Sequence, residues 1–147
     1  MLTDTAISPD VTGMSYQQLL ERVRYDGAYP TTERAAAAVH RVMSALGRQI
    51  GGDERGELAR CLPVEAALAF TAQVPDAQPL TGWAFVKDLA ARTGATPATA
   101  RWEAGTVLAA VSRLAGPHIT ARLVDHLPEG WALLFGLPQL PRPQRHV

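Results

Sequence analysis

The sequence predicts an all-α fold: two tandem four-helix repeats packed into one compact helical unit. Three observations carry this. Leu19-Leu20-Glu21-Arg22-Val23 is echoed by Phe85-Val86-Lys87-Asp88-Leu89, and the stretch from Leu58 to Pro63 is echoed by that from Leu123 to Pro128. Apolar residues recur at helical spacing, and no segment alternates polar and apolar residues for long enough to make a half-buried strand. Internal self-similarity fixes an architecture before any single residue is interpreted. The shared residues are mostly apolar, alanine or turn-forming, so they record a packing plan and not a chemistry. The repeats span residues 14–73 and 80–136, and residues 1–13 and 137–147 are expected to be flexible ends.

In the first repeat, Ser15 and Gln18 have the spacing of a capping box, and Tyr16, Leu19, Leu20 and Val23 share one helical face. Gly27 and Pro30 are expected to break this helix. Thr31 or Thr32 caps a longer second helix with Ala35, Val39, Val42, Met43 and Leu46 as its buried stripe, ended by Gly51-Gly52. A short third helix from Asp53 turns Leu58, Cys61 and Leu62 inward. Leu62-Pro63 starts a fourth, carrying Leu68 and Phe70, because proline suits the first turn of a helix and disfavours helical geometry just before it.

Gln73 to Leu80 holds Pro75 and Pro79 and is too polar to be core. The second repeat begins at Thr81 with a helix carrying Trp83, Val86 and Leu89. Thr96-Pro97 caps its long helix, which matches the first repeat at an offset of 65: Val42 with Val107, Met43 with Leu108, Leu46 with Val111. Gly116-Pro117 restarts the chain for a short helix with Leu123, and Leu127-Pro128 opens the last one, where Phe135 matches Phe70. Trp83 and Trp131, on apolar stripes, are expected in the core.

These residues together resemble the uncharacterised bacterial domain-of-unknown-function family 2267. The resemblance rests on Tyr16, Leu19 to Val23, Gly27, Ala35 to Leu46, Gly51-Gly52 and Leu58 to Pro63. In the second copy it rests on Phe85 to Leu89, Gly94, Val107 to Val111 and Leu123 to Pro128, with Gly116 and a proline in place of the glycine pair. It covers about residues 14–136. It implies a small helical module, often in tandem, in bacterial cytoplasm, and it supplies no activity.

Composition narrows the function. Fourteen basic and fourteen acidic residues cancel, and the balance holds within each repeat, so there is no long-range field to gather polyanions or membrane surfaces. Neither nucleic acid nor membrane is expected as a partner. No apolar run approaches the roughly 20 residues of a spanning helix. The first ten residues lack the charge and apolar run of a signal peptide, and Cys61 is the sole cysteine, which fits a reducing compartment. A cytoplasmic location is therefore expected. One lysine against thirteen arginines, with abundant alanine, suits a GC-rich bacterial genome.

The candidates for chemistry have plainer readings. His118 and His126 stand eight residues apart, and a helix starting at Pro117 would put both on roughly one face; a lone pair beside helix ends reads better as surface than as metal ligands. Cys61 aligns with His126 between the repeats, but a small residue filling a junction explains it. No Gly-x-Ser-x-Gly elbow or activated nucleophile is visible. Asp53, Glu54 and Glu57 complement the dipole at a helix start, and Gly51-Gly52 reads as helix termination, not a phosphate cradle. No metal, cofactor or catalysis is expected.

Arg101-Trp102 stands where the first repeat has Ala36-Ala37. Bulk and charge have replaced a smooth surface there, and tryptophan and arginine dominate interface hot spots. The plainer reading packs Trp102 on the first helix or between the copies. The expectation is a non-enzymatic protein acting on an unknown protein partner or by self-association, with Arg101 and Trp102 as the partner-binding residues. One rival is a small apolar ligand in a groove between the repeats, favoured if Ala35 to Ala38 line a cavity. A weaker one is a helix-turn-helix-like DNA binder using Asp53 to Leu62, against which its acidic start argues.

Overall fold

The computed structural model describes residues 14–137. The flexible ends expected over residues 1–13 and from 138 onward lie outside the described residues. Leu137, expected in the tail, instead packs against the core, with its N–H on the Ala132 carbonyl at 2.9 Å. Among the described residues there are helices and no strand: α1 (Tyr16–Gly27), α2 (Thr32–Gly47), α3 (Gly52–Arg60), α4 (Val64–Thr71), α5 (Gly82–Thr93), α6 (Pro97–His126) and α7 (Trp131–Leu134). The fold is all-α.

The helix starts follow from the side chains before them. The Gln18 N–H donates to Ser15 Oγ at 3.1 Å and the Ser15 N–H to Gln18 Oε1 at 2.9 Å, a complete capping box. Thr31, Thr81 and Thr96 cap α2, α5 and α6 by accepting from the third residue on. α6 is broken at Gly116, whose φ of 86° and ψ of 164° leave the helical region just before Pro117, so the chain restarts there as predicted and runs as segments 97–115 and 117–126.

Gly27 does not break α1. It is the last helical residue, and the left-handed position falls on Ala28, with φ 58°. A Cβ on Gly27 would meet the Tyr29 ring at 2.4 Å and Thr106 Cγ2 at 3.1 Å. The glycine therefore serves close approach between α1 and α6. α2 likewise ends at Gly47, before Gly51-Gly52, and a Cβ at Gly47 would collide with the Phe70 carbonyl oxygen, so the glycine there serves the close approach of α4.

α6 packs on α1, α2, α3, α5 and α7, so the second half of the chain is built around a helix that the first half also covers. Val42, Met43, Leu46, Leu58 and Phe70 are buried, and so are Val107, Leu108, Val111, Leu123 and Phe135, the residues matched to them at the offset of 65. All ten belong to one hydrophobic cluster. Polar ties cross between the halves as well. Arg41 holds the nearly buried Glu103 by two bonds of 2.9 and 2.8 Å, and Arg122 reaches Glu57 and, at 3.3 Å, Glu54. The acids at the start of α3 thus anchor the two halves in addition to complementing the helix dipole.

One predicted core residue, Trp83, and one apolar residue of the fourth helix, Leu68, are on the surface. On α4 the buried residues are Ala66, Ala69 and Phe70, which puts Leu68 on the opposite face, 62% exposed. Trp83 is 59% exposed: it stands in the first turn of α5, at the edge of the stripe formed by Phe85, Val86, Leu89 and Ala90. Cys61 is half-buried rather than core, while Leu62 and Trp131 are buried as expected. The linker from Gln73 to Leu80 is largely exposed but held at its ends. The Asp76 N–H donates to the Arg48 carbonyl at 2.8 Å, the Leu80 N–H to Gln49 Oε1 at 2.7 Å, and Trp131 Nε1–H to the Leu80 carbonyl at 2.9 Å.

Candidate interaction groove

The groove begins where two glycines meet. A Cβ on Gly82 would lie 2.6 Å from the backbone of Gly130, and the Gly82 N–H donates to the Glu129 carbonyl at 2.9 Å. Gly130 itself is left-handed, with φ 94°. This contact presses the start of α5 onto the loop before α7, and the side chains that follow splay around it. Val86 and Leu134 are buried and form the floor. Trp83 and Leu133, 59% and 50% exposed, form the walls, and Arg101 from α6 stands on the rim. The space enclosed is about 180 Å³. The Arg101 guanidinium lies over Gly105, one turn along its own helix, where a Cβ would come within 2.7 Å of Nη1. Arg101 makes no ion pair with a carboxylate among the described residues.

The two residues singled out from sequence part company here. Adjacent helical positions point about 100° apart. Arg101 borders the groove, while Trp102 leans on the first half of the chain. Trp102 Nε1–H donates to the Gly27 carbonyl at 3.0 Å, one of the acceptors left free at the end of α1, and the ring is 56% exposed. Trp102 is thus both a tie between the halves and a surface residue. Sequence reasoning missed Trp83 and Leu133, and the alignment of the two matched stretches held a signal for Trp83 alone. Pairing Leu19 with Phe85 sets Trp83 opposite Gln17, an exposed polar residue, whereas the offset of 65 sets Leu133 opposite Leu68, which is also exposed.

Other candidate chemistry resolves into structure. Cys61 Sγ–H donates to the Glu57 carbonyl at 3.4 Å, and burial pushes its thiol up, with Arg60 pulling the other way; a thiol so held is poorly suited to act as a thiolate nucleophile. His126 Nδ1 lies 2.8 Å from the Arg122 carbonyl and 3.5 Å from Glu54. Among the described residues no three His, Cys, Asp or Glu side chains converge in a way that would hold a metal ion. Nor is any described helix long and apolar enough to cross a membrane. Ala35 and Ala38 are fully buried against neighbouring helices and do not line the groove.

Fold and groove define a small all-α protein with an apolar-walled groove that carries Arg101 at its rim. The model of the family described as "Uncharacterized conserved protein (DUF2267)" matches residues 16–134, and the chain belongs to that family. No curated protein matches it in sequence.

Proposed function

We propose that this is a non-enzymatic cytoplasmic protein of bacterial origin, built from two tandem copies of one helical module over residues 14–73 and 80–136, that works by binding protein through the groove between α5, α6 and α7. The tandem reading is supported by the matched pairs from Val42 and Val107 to Phe70 and Phe135, all buried. The lone cysteine and the internally balanced charge support the cytoplasmic one. The observation that carries the functional reading is the exposed Trp83–Leu133 pair beside an arginine without a carboxylate partner among the described residues. Large apolar groups rimmed by a charge are what protein interfaces use, and tryptophan and arginine supply most of their energy. At the positions matched to Trp83 and Arg101 the other half carries Gln17 and Ala36, so the two halves differ there in bulk and charge. Trp102 adds an exposed ring on α6 outside the groove lining, where it leans on α1.

The rival reading of an apolar small-molecule site is less well supported. Ligand pockets usually enclose about 300–1,000 Å³, whereas this groove holds about 180 Å³ and is open. That suits one or two protruding side chains. A DNA-reading role for α3 is disfavoured because Glu54 and Glu57 are engaged by Arg122 of α6 and the exposed Asp53 at the helix start would repel phosphates.

The test compares wild type with Trp83→Ala and Arg101→Glu as baits in native lysate, alongside thermal melts. The expected result is one prey lost from both variants with melts within about 1 kcal/mol of wild type, since truncating a surface residue costs little stability. Prey retained by both variants would remove the groove from consideration.

A further inference from the structure

The chain carries a second exposed apolar face whose shape and charge answer the groove. On α4, Val64 and Leu68 are 68% and 62% exposed, one turn apart and therefore side by side. Glu65 stands beside them, exposed and without an ion pair among the described residues. α4 packs on α1, α2 and α3, whereas the groove lies among α5, α6 and α7. One face is a convex ridge of two aliphatic side chains with an acid at its edge. The other is a concave apolar slot with a base at its rim.

We infer that α4 of one copy docks into the α5–α6–α7 groove of a second copy, with Val64 and Leu68 seated between Trp83 and Leu133 while Glu65 pairs with Arg101. This rests on the reading of the groove as a protein-binding surface and names its occupant. Two unpartnered apolar faces are covered by a single interaction. The groove's roughly 180 Å³ suits aliphatic side chains, and each unpaired charge gains a partner at the edge of an apolar contact, where such pairs set register and orientation. Groove against groove is the poorer match, because it sets concave against concave and brings Arg101 toward Arg101. A ridge-to-groove contact is heterologous: every copy still offers one free ridge and one free groove, so association continues into rings or open chains instead of stopping at a symmetric dimer.

The experiment is sedimentation velocity on the full chain across concentrations, with Leu68→Asp and Trp83→Asp variants alone and mixed. Both positions are exposed, so both variants should melt as wild type does. If Trp83→Asp fails to fold, Arg101→Glu takes its place. Wild type should gain mass beyond a dimer as concentration rises, and each variant alone should stay monomeric. The mixture should form a one-to-one pair and stop there, because one variant keeps an intact groove and the other an intact ridge. Glu65→Arg mixed with Arg101→Glu should associate where neither does alone. A wild type that stays monomeric throughout, a Leu68→Asp variant that still self-associates, or a mixture that does not pair would overturn the inference. A monomeric wild type whose lysate partner is still lost on Trp83→Ala would sink this inference alone and leave the groove's protein-binding role standing.

Discussion

Single side chains do work here that their neighbours in sequence do not announce. Arg55 Nη1 donates to the Gly47 and Ile50 carbonyls at 2.6 and 2.9 Å, and Nη2 to those of Phe70, Thr71 and Gln73, with the guanidinium 5.0 Å over the Phe70 ring. One planar fork thus satisfies acceptors at the ends of both α2 and α4. Arg55→Ala should cost about 2–4 kcal/mol, since a bond to a charged group contributes about 1.5–3 kcal/mol and the several bonds are not additive. Arg55→Lys should recover less than half of that, because an ammonium cannot span the fork; full rescue by lysine in chemical denaturation would contradict the assignment. Tyr29 is the opposite case, with a buried hydroxyl that has no hydrogen-bond partner. Burial foremost, and the Glu103 carboxylate after it, push this phenol up to about 12, against the pull of Arg41. The native state therefore keeps the proton through a range where the unfolded chain, titrating near 10, has lost it. This contribution to stability is complete below about pH 10 and disappears as pH rises through about 12. Tyr29→Phe should flatten the alkaline fall in the denaturation midpoint and raise stability near neutrality by about 1 kcal/mol by removing the orphan hydroxyl. An unchanged alkaline limb would rule Tyr29 out as its source.

At the scale of the helix, ends are decided by packing as much as by caps. The capping box of Ser15 and Gln18 and the Thr96 cap were legible in the sequence, with Thr31 as one of two candidates, because the donors and acceptors lie three residues apart on one chain. Gly27 was not legible in the same way. A glycine near a helix end reads as the stop, yet here Ala28 takes the left-handed position: its N–H bonds to the Tyr25 carbonyl at 3.3 Å and the Tyr29 N–H to the Arg24 carbonyl at 2.9 Å. The stop falls one residue later, and Gly27 instead leaves room for the Tyr29 ring and for Thr106 of α6. An L-residue with a Cβ pays about 1–2 kcal/mol in that conformation, partly offset by the greater chain entropy of an unfolded glycine. Ala28→Gly should accordingly raise stability by about 0.5–1 kcal/mol. A fall in the melting temperature of that variant would mean that the methyl group makes a contact worth more than the strain. Trp83 was misread for a related reason, and Leu68 was undecided for the same one: α4 and the first turn of α5 carry apolar residues on more than one face, and one helix alone does not say which face the rest of the molecule covers.

For the molecule as a whole, the two halves should stand or fall together. α1, α2 and α3 all pack on α6, one hydrophobic cluster runs through both halves, and Arg41–Glu103, Arg122–Glu57 and Trp102–Gly27 cross between them. Each half has about 60 residues, a size at which only about 60% of the unfolded chain's surface is buried and a separate core is marginal. Fragments divided at Pro75 should be poorly folded alone, with weak helical circular dichroism and no cooperative melt. Fragments that each melt cooperatively at the temperature of the intact chain would show two independent units.

The helical class and most helix boundaries were legible in the amino-acid sequence. Spacing at 3.6 residues, prolines, caps and a constant offset are local or self-referential properties, readable without knowing what packs on what. Arg101 was legible as a site candidate on the same ground, since it breaks the match with Ala36. Tertiary structure alone decided that Arg101 and Trp102 face different neighbours, that Gly82 and Gly130 meet, and that Trp83, Leu133, Val64 and Leu68 are left uncovered. Whether an apolar residue is core or surface depends on which of its helix's faces the other helices occupy, and that is settled only when all of them compete for the same interior.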